Sequence, residues 1–523
     1  MLSTVQSYSS VGNTNFKVNS FPCLHQERAS SSPASNCEGK IKEIFFYPYH
    51  SSCCFYDEIY DRTPGFAKYV NIQLLLIKEF LRIFDCDVSL SLLIPTKGRK
   101  DFIIEEFVGC CESMGIPSYG RINFIDFPIT DMSWIYLRDK ALAKSMRGMI
   151  WPNKFSKNID VLKAFDAESI LSPFSFEGGN VRCADGFMYI GSDTVSFNRD
   201  ILAIKSGSEQ EVFDGVNRMS DWFQSQVVMF GDASLVLSKQ PIKHIDLFCT
   251  FLGGRKVVVG DVNYAIDIIT KRKDWESILM SSVFDIDRLV HKQQMGNEDF
   301  YSYSPFNAID PISFKRNPTA VKTYVAFLAY ILRQYRNRYI YRQRDADFKE
   351  IWDDGSLGEG ELSVEEGLKM FSLPFSDETI KDILGGYNNA AVYMDSVATQ
   401  LRQSGYEVFR CPLLPHIPRL LNGIGREMKA PLITYNNALV ECYDSNRIVY
   451  MPEYGLKFPT VNYNGYVVGN VLNELDIEAR HVFERAGAVV RGINTGFNLT
   501  TLQSQVNCMT LERREAFNPD YSR

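Results

Sequence analysis

One local arrangement recurs along the chain and restricts its fold more than any other feature: a helical stretch stops at a glycine and leads straight into a short apolar strand. Phe102 to Met114 ends at Gly115, ahead of a strand over Ile122–Phe127. Asp395–Gln403 ends at Gly405 ahead of Val408–Cys411, and Glu478–Arg485 ends at Gly487 ahead of Val489–Ile493. A glycine there can take the left-handed C-cap that a side chain disfavours, so the chain reverses at once and lays the strand back on its helix. Strands are also predicted in close pairs. Leu247–Leu252 and Lys256–Val259 flank Gly253-Gly254, and Leu439–Cys442 and Arg447–Met451 flank Asp444-Ser445-Asn446. Repeated ββαβ-like units of this kind predict a closed or propeller-like α/β architecture rather than one open parallel sheet.

The rest of the chain divides around these units. Residues 1–38 are rich in Ser and Asn without hydrophobic periodicity and are expected to form a disordered tail. A single α/β domain is expected over 39–523, opening with a strand at Ile41–Pro48, a helix at Tyr69–Phe84 and a strand at Val88–Ile94. Between about 270 and 425 the sequence becomes more charged. A helical run from Val321 to about Arg344 carries Arg333, Arg336, Arg338, Arg342 and Arg344, and an acidic loop follows at Asp353–Glu361. This region is expected to be a large, mainly helical insertion, with the arginine stripe as a solvated helix face.

The net charge of −7 offers no general attraction to nucleic acid or to an anionic membrane. The longest apolar run, Ile72 to Ile77, is broken by Lys78 and Glu79, well short of the ~20 residues a membrane helix needs. The 12 cysteines are scattered, with neighbours only at Cys53-Cys54 and Cys110-Cys111. They have neither zinc-site spacing nor the density of a disulfide scaffold, and no EF-hand calcium loop is present. A reducing, cytoplasmic setting is therefore expected, with neither nucleic-acid nor membrane partners.

Four short segments carry groups able to do chemistry. Trp134-Ile-Tyr-Leu-Arg138-Asp139 is an aromatic, apolar run ending in a charged pair. Phe176-Glu177-Gly178-Gly179-Asn180 sets two glycines behind a carboxylate, where backbone and ligand can approach closely. Of the six histidines, at 25, 50, 244, 291, 416 and 481, only His244 stands two residues from a carboxylate, Asp246, within an apolar run. If that run is a strand, both side chains share a face. The last segment, Val506-Asn507-Cys508-Met509-Thr510, ends in Arg513-Arg514. Taken singly each has an ordinary explanation: a surface ion pair, a turn, a solvated strand, a core thiol.

Their order resembles that of the guanidino-group-modifying superfamily, the pentein enzymes, and most closely its arginine, agmatine and protein-arginine deiminases. The matching residues are Arg138-Asp139, Glu177-Gly-Gly-Asn180, His244-Ile-Asp246 and Cys508, over roughly 40–265 and 430–523. Asn507 stands where members often carry His or Arg, and Lys243 where they often carry Gly. The resemblance implies a five-bladed α/β propeller of pseudo-fivefold ββαβ units, interrupted by the insertion.

It also implies roles. Cys508 would be the nucleophile, His244 the proton shuttle, and Glu177 the group that orients His244. Asp139 and Asp246 would clamp a guanidinium, with Arg138 and Asn180 alongside in substrate binding. Asp126, Asp131 and Asp166 are nearby alternatives to Asp139, and Cys183 and Cys249 are rivals to Cys508. A guanidinium is a resonance-stabilised, poor electrophile, so paired carboxylates must fix its carbon near the nucleophile. A free thiol, with pKa ~8.5, must be made anionic beside the bound cation. The implied activity is hydrolysis of an arginine-type guanidinium, small or on a protein, to a ureido group and ammonia. The scheme requires neither metal nor organic cofactor. The alternatives are an amidinotransferase and a non-catalytic binding protein of the same fold.

Overall fold

The computed structural model describes residues 33–47, 77–95 (78 aside), 120–127, 137–143, 148–153, 168–271 (239 aside), 377–415, 418–421, 426–429, 433–454 (444 aside), 462–463, 466–467, 471–494, 506–508 and 510–515. The basic stretch at 321–344 and the acidic loop at 353–361 lie outside the described residues, as does the helix predicted at 102–114.

The fold is α/β, and five of its sheets share one pattern: an antiparallel strand pair extended by a parallel strand. In the first, β1 (Ile41–Phe46) pairs antiparallel with Thr510–Arg514 and parallel with β2 (Ser89–Pro95), which runs parallel to β3 (Ile122–Phe127). The second joins β4 (Leu142–Ala143), β5 (Gly148–Trp151) and β6 (Glu168–Leu171). The third joins β7 (Val181–Ala184), β8 (Phe187–Gly191) and β9 (Gln226–Phe230). The fourth joins β10 (Cys249–Phe251), β11 (Lys256–Asp261) and β12 (Glu407–Leu414). In the fifth, Leu439–Tyr443 pairs with Asn446–Glu453, and the latter runs parallel to Val489–Asn494. Because the last described strand pairs with β1, the two ends of the domain are tied by one ladder.

A parallel third strand requires a crossover, and helices provide it. Glu209–Phe223 precedes β9, Asp377–Gln403 precedes β12, and Val471–Arg485 precedes Val489–Asn494. Gly405 and Gly487, each at φ 84°, make the turns from the last two helices. In the third sheet Gln224 takes the same left-handed position at φ 49°, so that unit has no glycine to announce it.

Two expected boundaries are corrected. The segment 390–414 fell inside the expected insertion bounds although 395–411 also read as a helix–glycine–strand unit, and it is core: β12 is the third strand of its sheet, and Met394, Val397, Ala398 and Leu401 are buried with Val257, Val258 and Val259. The tail, expected to run to residue 38, is ordered before that point. Asn36 donates its N–H to the Cys183 carbonyl at 2.8 Å and accepts the Cys183 N–H at 2.7 Å, which seats fully buried Cys37 in the core. Tyr189 stacks between Phe230 and Phe251, with centroids at 5.2 and 4.6 Å, and joins the third sheet to the fourth. No helix among the described residues is long and apolar enough to cross a membrane.

Candidate active site

Glu177 sits in extended backbone just before a 3-10 turn, Gly178–Asn180. A Cβ on Gly178 would run into the carbonyls of Arg138 and Ala141, so glycine is what lets this turn press against the 3-10 turn Leu137–Lys140. Asn180, expected to bind substrate, braces the local backbone. It is buried, its amide pairs with Gln240 at 3.2 Å and with Thr194 at 3.4 Å, and Gln240 donates in turn to the carbonyls of Ile242 and Lys243. The pair thereby fixes the backbone that delivers His244.

The strand expected across His244 and Asp246 is not formed. His244 is extended, at φ −128° and ψ 144°, and a 3-10 turn follows over Ile245–Leu247; the strand begins only at Cys249. His244 and Asp246 are nevertheless brought together. His244 Nε2 lies 2.7 Å from Glu177 Oε2, and the exposed ammonium of Lys243 approaches the same oxygen at 3.5 Å.

Asp246 is fully buried. Its Oδ2 accepts from Asn507 Nδ2 at 2.7 Å and from Cys508 Sγ at 3.3 Å, and the Arg182 guanidinium stands 3.4 Å away. Its Oδ1 has no hydrogen-bond partner among the described residues. A buried carboxylate oxygen without a donor is unfavourable, and it is a ready acceptor for a cationic N–H.

Cys508 lies in the turn that leads to the last strand and is almost wholly buried. The Asn437 side chain accepts its N–H and donates to its sulfur, each at 3.0 Å. Its carbonyl accepts the Arg138 N–H at 3.1 Å. One ligand-type atom from each of His244, Asp246 and Cys508 falls within 4.8 Å of the others. That compactness would also suit a metal ion; the direct contacts present are Cys508 to Asp246 and His244 to Glu177. The rival thiols are placed differently. Burial pushes Cys183 up to about 12 and raises Cys249 further, with no carboxylate or imidazole at hydrogen-bond distance shown for either.

Arg138, expected beside a substrate, lies in the interior close to Asp246 and Cys508. Its guanidinium is fully buried and ion-paired with Glu512, which also meets Arg514 at 3.2 Å. Burial, with Arg182 nearby, pulls Arg138 down to about 9 against the opposing pull of Asp246. Asp139 belongs to the 137–140 turn, but its side chain lies outside the described residues, as do those of Asp131 and Asp166. Arg182, Asn437 and Asn507 complete the site. Only Asn507 was singled out by the motif order; Asn437 sits in an ordinary-looking Tyr-Asn-Asn turn, and Arg182 in a strand.

No family model and no curated protein matches the chain. Solved structures do. The chain is similar to an agmatine deiminase of C. jejuni at 11% identity, over 93% of this chain and 96% of that one, with a TM-score of 0.42. It is similar to an amidinotransferase of the saxitoxin biosynthetic pathway from Microseira wollei at 9% identity, over 93% and 99%, with a TM-score of 0.33. A third match is a DDAH of Pseudomonas aeruginosa complexed with citrulline, at 14% identity over 45% of this chain and 74% of that one, with a TM-score of 0.23. All three are members of the guanidino-group-modifying superfamily that the motif order resembles.

Proposed function

We propose that the chain is a guanidine hydrolase of the deiminase type, acting on an arginine-like guanidinium through Cys508. The observation that carries this reading is the meeting of His244, Asp246 and Cys508 within 4.8 Å, with Glu177 on the outer side of the imidazole. In the same reading the five sheets built on an antiparallel pair and a parallel strand are the blades of a pentein-type propeller.

The substrate's guanidinium donates to the unpartnered Oδ1 of Asp246, with Asp139 as the second clamp. Its charge offsets that of Asp246 and favours the thiolate. The Cys508 proton passes to His244, and the sulfur forms a bond to the guanidinium carbon. The imidazolium, stabilised by Glu177, returns the proton to one nitrogen as its C–N bond breaks, releasing ammonia and leaving a covalent thiouronium. His244 then takes a proton from water as the water oxygen bonds to that carbon. The C–S bond breaks with its electron pair returning to sulfur, His244 gives its proton back to Cys508, and the hydroxyl proton is lost to solvent as the ureido carbonyl forms and the product leaves.

Incubation with free arginine, agmatine and an arginine-containing peptide, with and without glycine as an amine acceptor, tests the reading. The expected result is ureido product and ammonia from at least one, with no new guanidino product when glycine is present. Transfer to glycine would move the assignment to an amidinotransferase. Folded protein that acts on none of them would remove it.

A further inference from the structure

We propose that Asn437 is a positioning residue for the nucleophile, holding Cys508 in place and stabilising its thiolate; this rests on the guanidine-hydrolase reading of the same site. Asn437 lies between the strands Ile433–Thr434 and Leu439–Tyr443 and is fully buried. Its Oδ1 accepts the Cys508 N–H at 3.0 Å. A backbone N–H can only donate, so this bond settles which end of the amide is oxygen. Nδ2 must then face the sulfur, which it meets at 3.0 Å, and it also points to the Asp246 carbonyl at 3.4 Å. The Asn437 carbonyl in addition accepts the Asn507 N–H at 3.3 Å. The 507–508 backbone is gripped by one residue through both its side chain and its main chain.

The chemistry of the grip is specific. An N–H aimed at sulfur is stronger when the sulfur is anionic, so it favours the thiolate. The amide is neutral, so it does this without repelling the cation that the site is built to hold, as a lysine or arginine there would. Asp246 acts the other way: its Oδ2, 3.3 Å from Sγ, accepts an S–H and opposes a thiolate. His244 is the third group within 4.8 Å of the sulfur's neighbourhood, Arg138 and Tyr454 also interact with Cys508 electrostatically, and Arg182 acts through its contact with Asp246. Asn437 is thus the uncharged member of the set that favours the anion before substrate arrives.

The test is the pH dependence of iodoacetamide alkylation at Cys508 in the full-length protein, read by mass spectrometry on the Cys508 peptide. Asn437→Asp is isosteric and keeps the acceptor for the Cys508 N–H, but it replaces the donor with an oxygen. Its alkylation midpoint is expected to rise by about one to two pH units. Asn437→Ala, which removes both contacts, should also raise it and should lower kcat more than it changes KM. A wild-type midpoint in either folded variant overturns the proposal. Alkylation is read without substrate, so a chain inactive on every guanidine would still report on Asn437. Guanidine turnover with unmoved midpoints would defeat this role alone.

Discussion

Glu177 Oε2 lies 2.7 Å from His244 Nε2, yet the two residues reach that contact from different 3-10 turns, each held by the Asn180–Gln240 amide pair. The carboxylate is a counter-charge for an imidazolium, and Lys243, at 3.5 Å from the same oxygen, competes for it. Glu177→Gln should therefore move the basic limb of the pH–rate profile to lower pH, because the protonated imidazole loses its partner, and should reduce kcat/KM about 10- to 100-fold. Lys243→Ala should move the same limb the opposite way. Measuring both profiles on one substrate decides the matter; limbs that move together, or do not move, would rule out this electrostatic account.

Asp246 is a buried counter-ion for Arg182 and, in the proposed reaction, a clamp for the guanidinium. Asp246→Asn is expected to raise KM and lower kcat, since charge-assisted bonds to the guanidinium are lost. It should also destabilise the fold by about 3 kcal/mol, because Arg182 is left buried without its carboxylate. Steady-state kinetics and urea unfolding on the same preparation separate the two effects. A variant with normal KM would show that the substrate does not use this carboxylate.

The Arg138–Glu512 pair is wholly interior, so its loss should be felt in stability rather than recognition. Glu512→Gln is expected to cost about 3 kcal/mol or more in urea unfolding while leaving KM within about twofold. A large rise in KM with unchanged stability would return Arg138 to the substrate.

Buried Cys183 gives a pH prediction. Its thiol is pushed by desolvation from an ordinary 9.0 to about 12. Between these values the unfolded chain releases a proton that the folded chain keeps, so folded stability is full below about 9 and falls as pH rises towards about 12. Cys183→Ala should flatten that part of the stability curve. An equal decline in wild type and variant would show that this thiol does not contribute.

Gly405 and Gly487 were legible because a left-handed turn after a helix is where glycine has a physical advantage. Gln224 makes the same turn without that signal, and the third unit passed unseen. His244, Asp246, Glu177 and Cys508 were legible as an ordered set, because each is a scarce reactive type in a marked local context. Their geometry was not, because a period-two reading cannot distinguish a short strand from extended residues entering a 3-10 turn. Asn437 and Arg182 were hidden for a different reason. Their roles arise from contacts across long sequence separations, and a turn asparagine and a strand arginine have no local peculiarity. Charge carried the expected insertion bound past 390–414 even though its helix–glycine–strand unit was legible, because exposed acidic and basic residues lie on the helix face opposite the one that packs against β11 and β12.

In the proposed reaction Cys508 becomes covalently bonded to a guanidinium carbon during turnover. The most direct measurement is mass spectrometry of the Cys508 peptide after acid quench during turnover of whichever guanidine the protein converts. The expected species is a thiouronium adduct on Cys508 with the mass of the substrate less ammonia, which disappears on exhaustion of substrate and never forms in Cys508→Ala, which should be inactive. Ureido product formed by Cys508→Ala at the wild-type rate would contradict the proposed reaction.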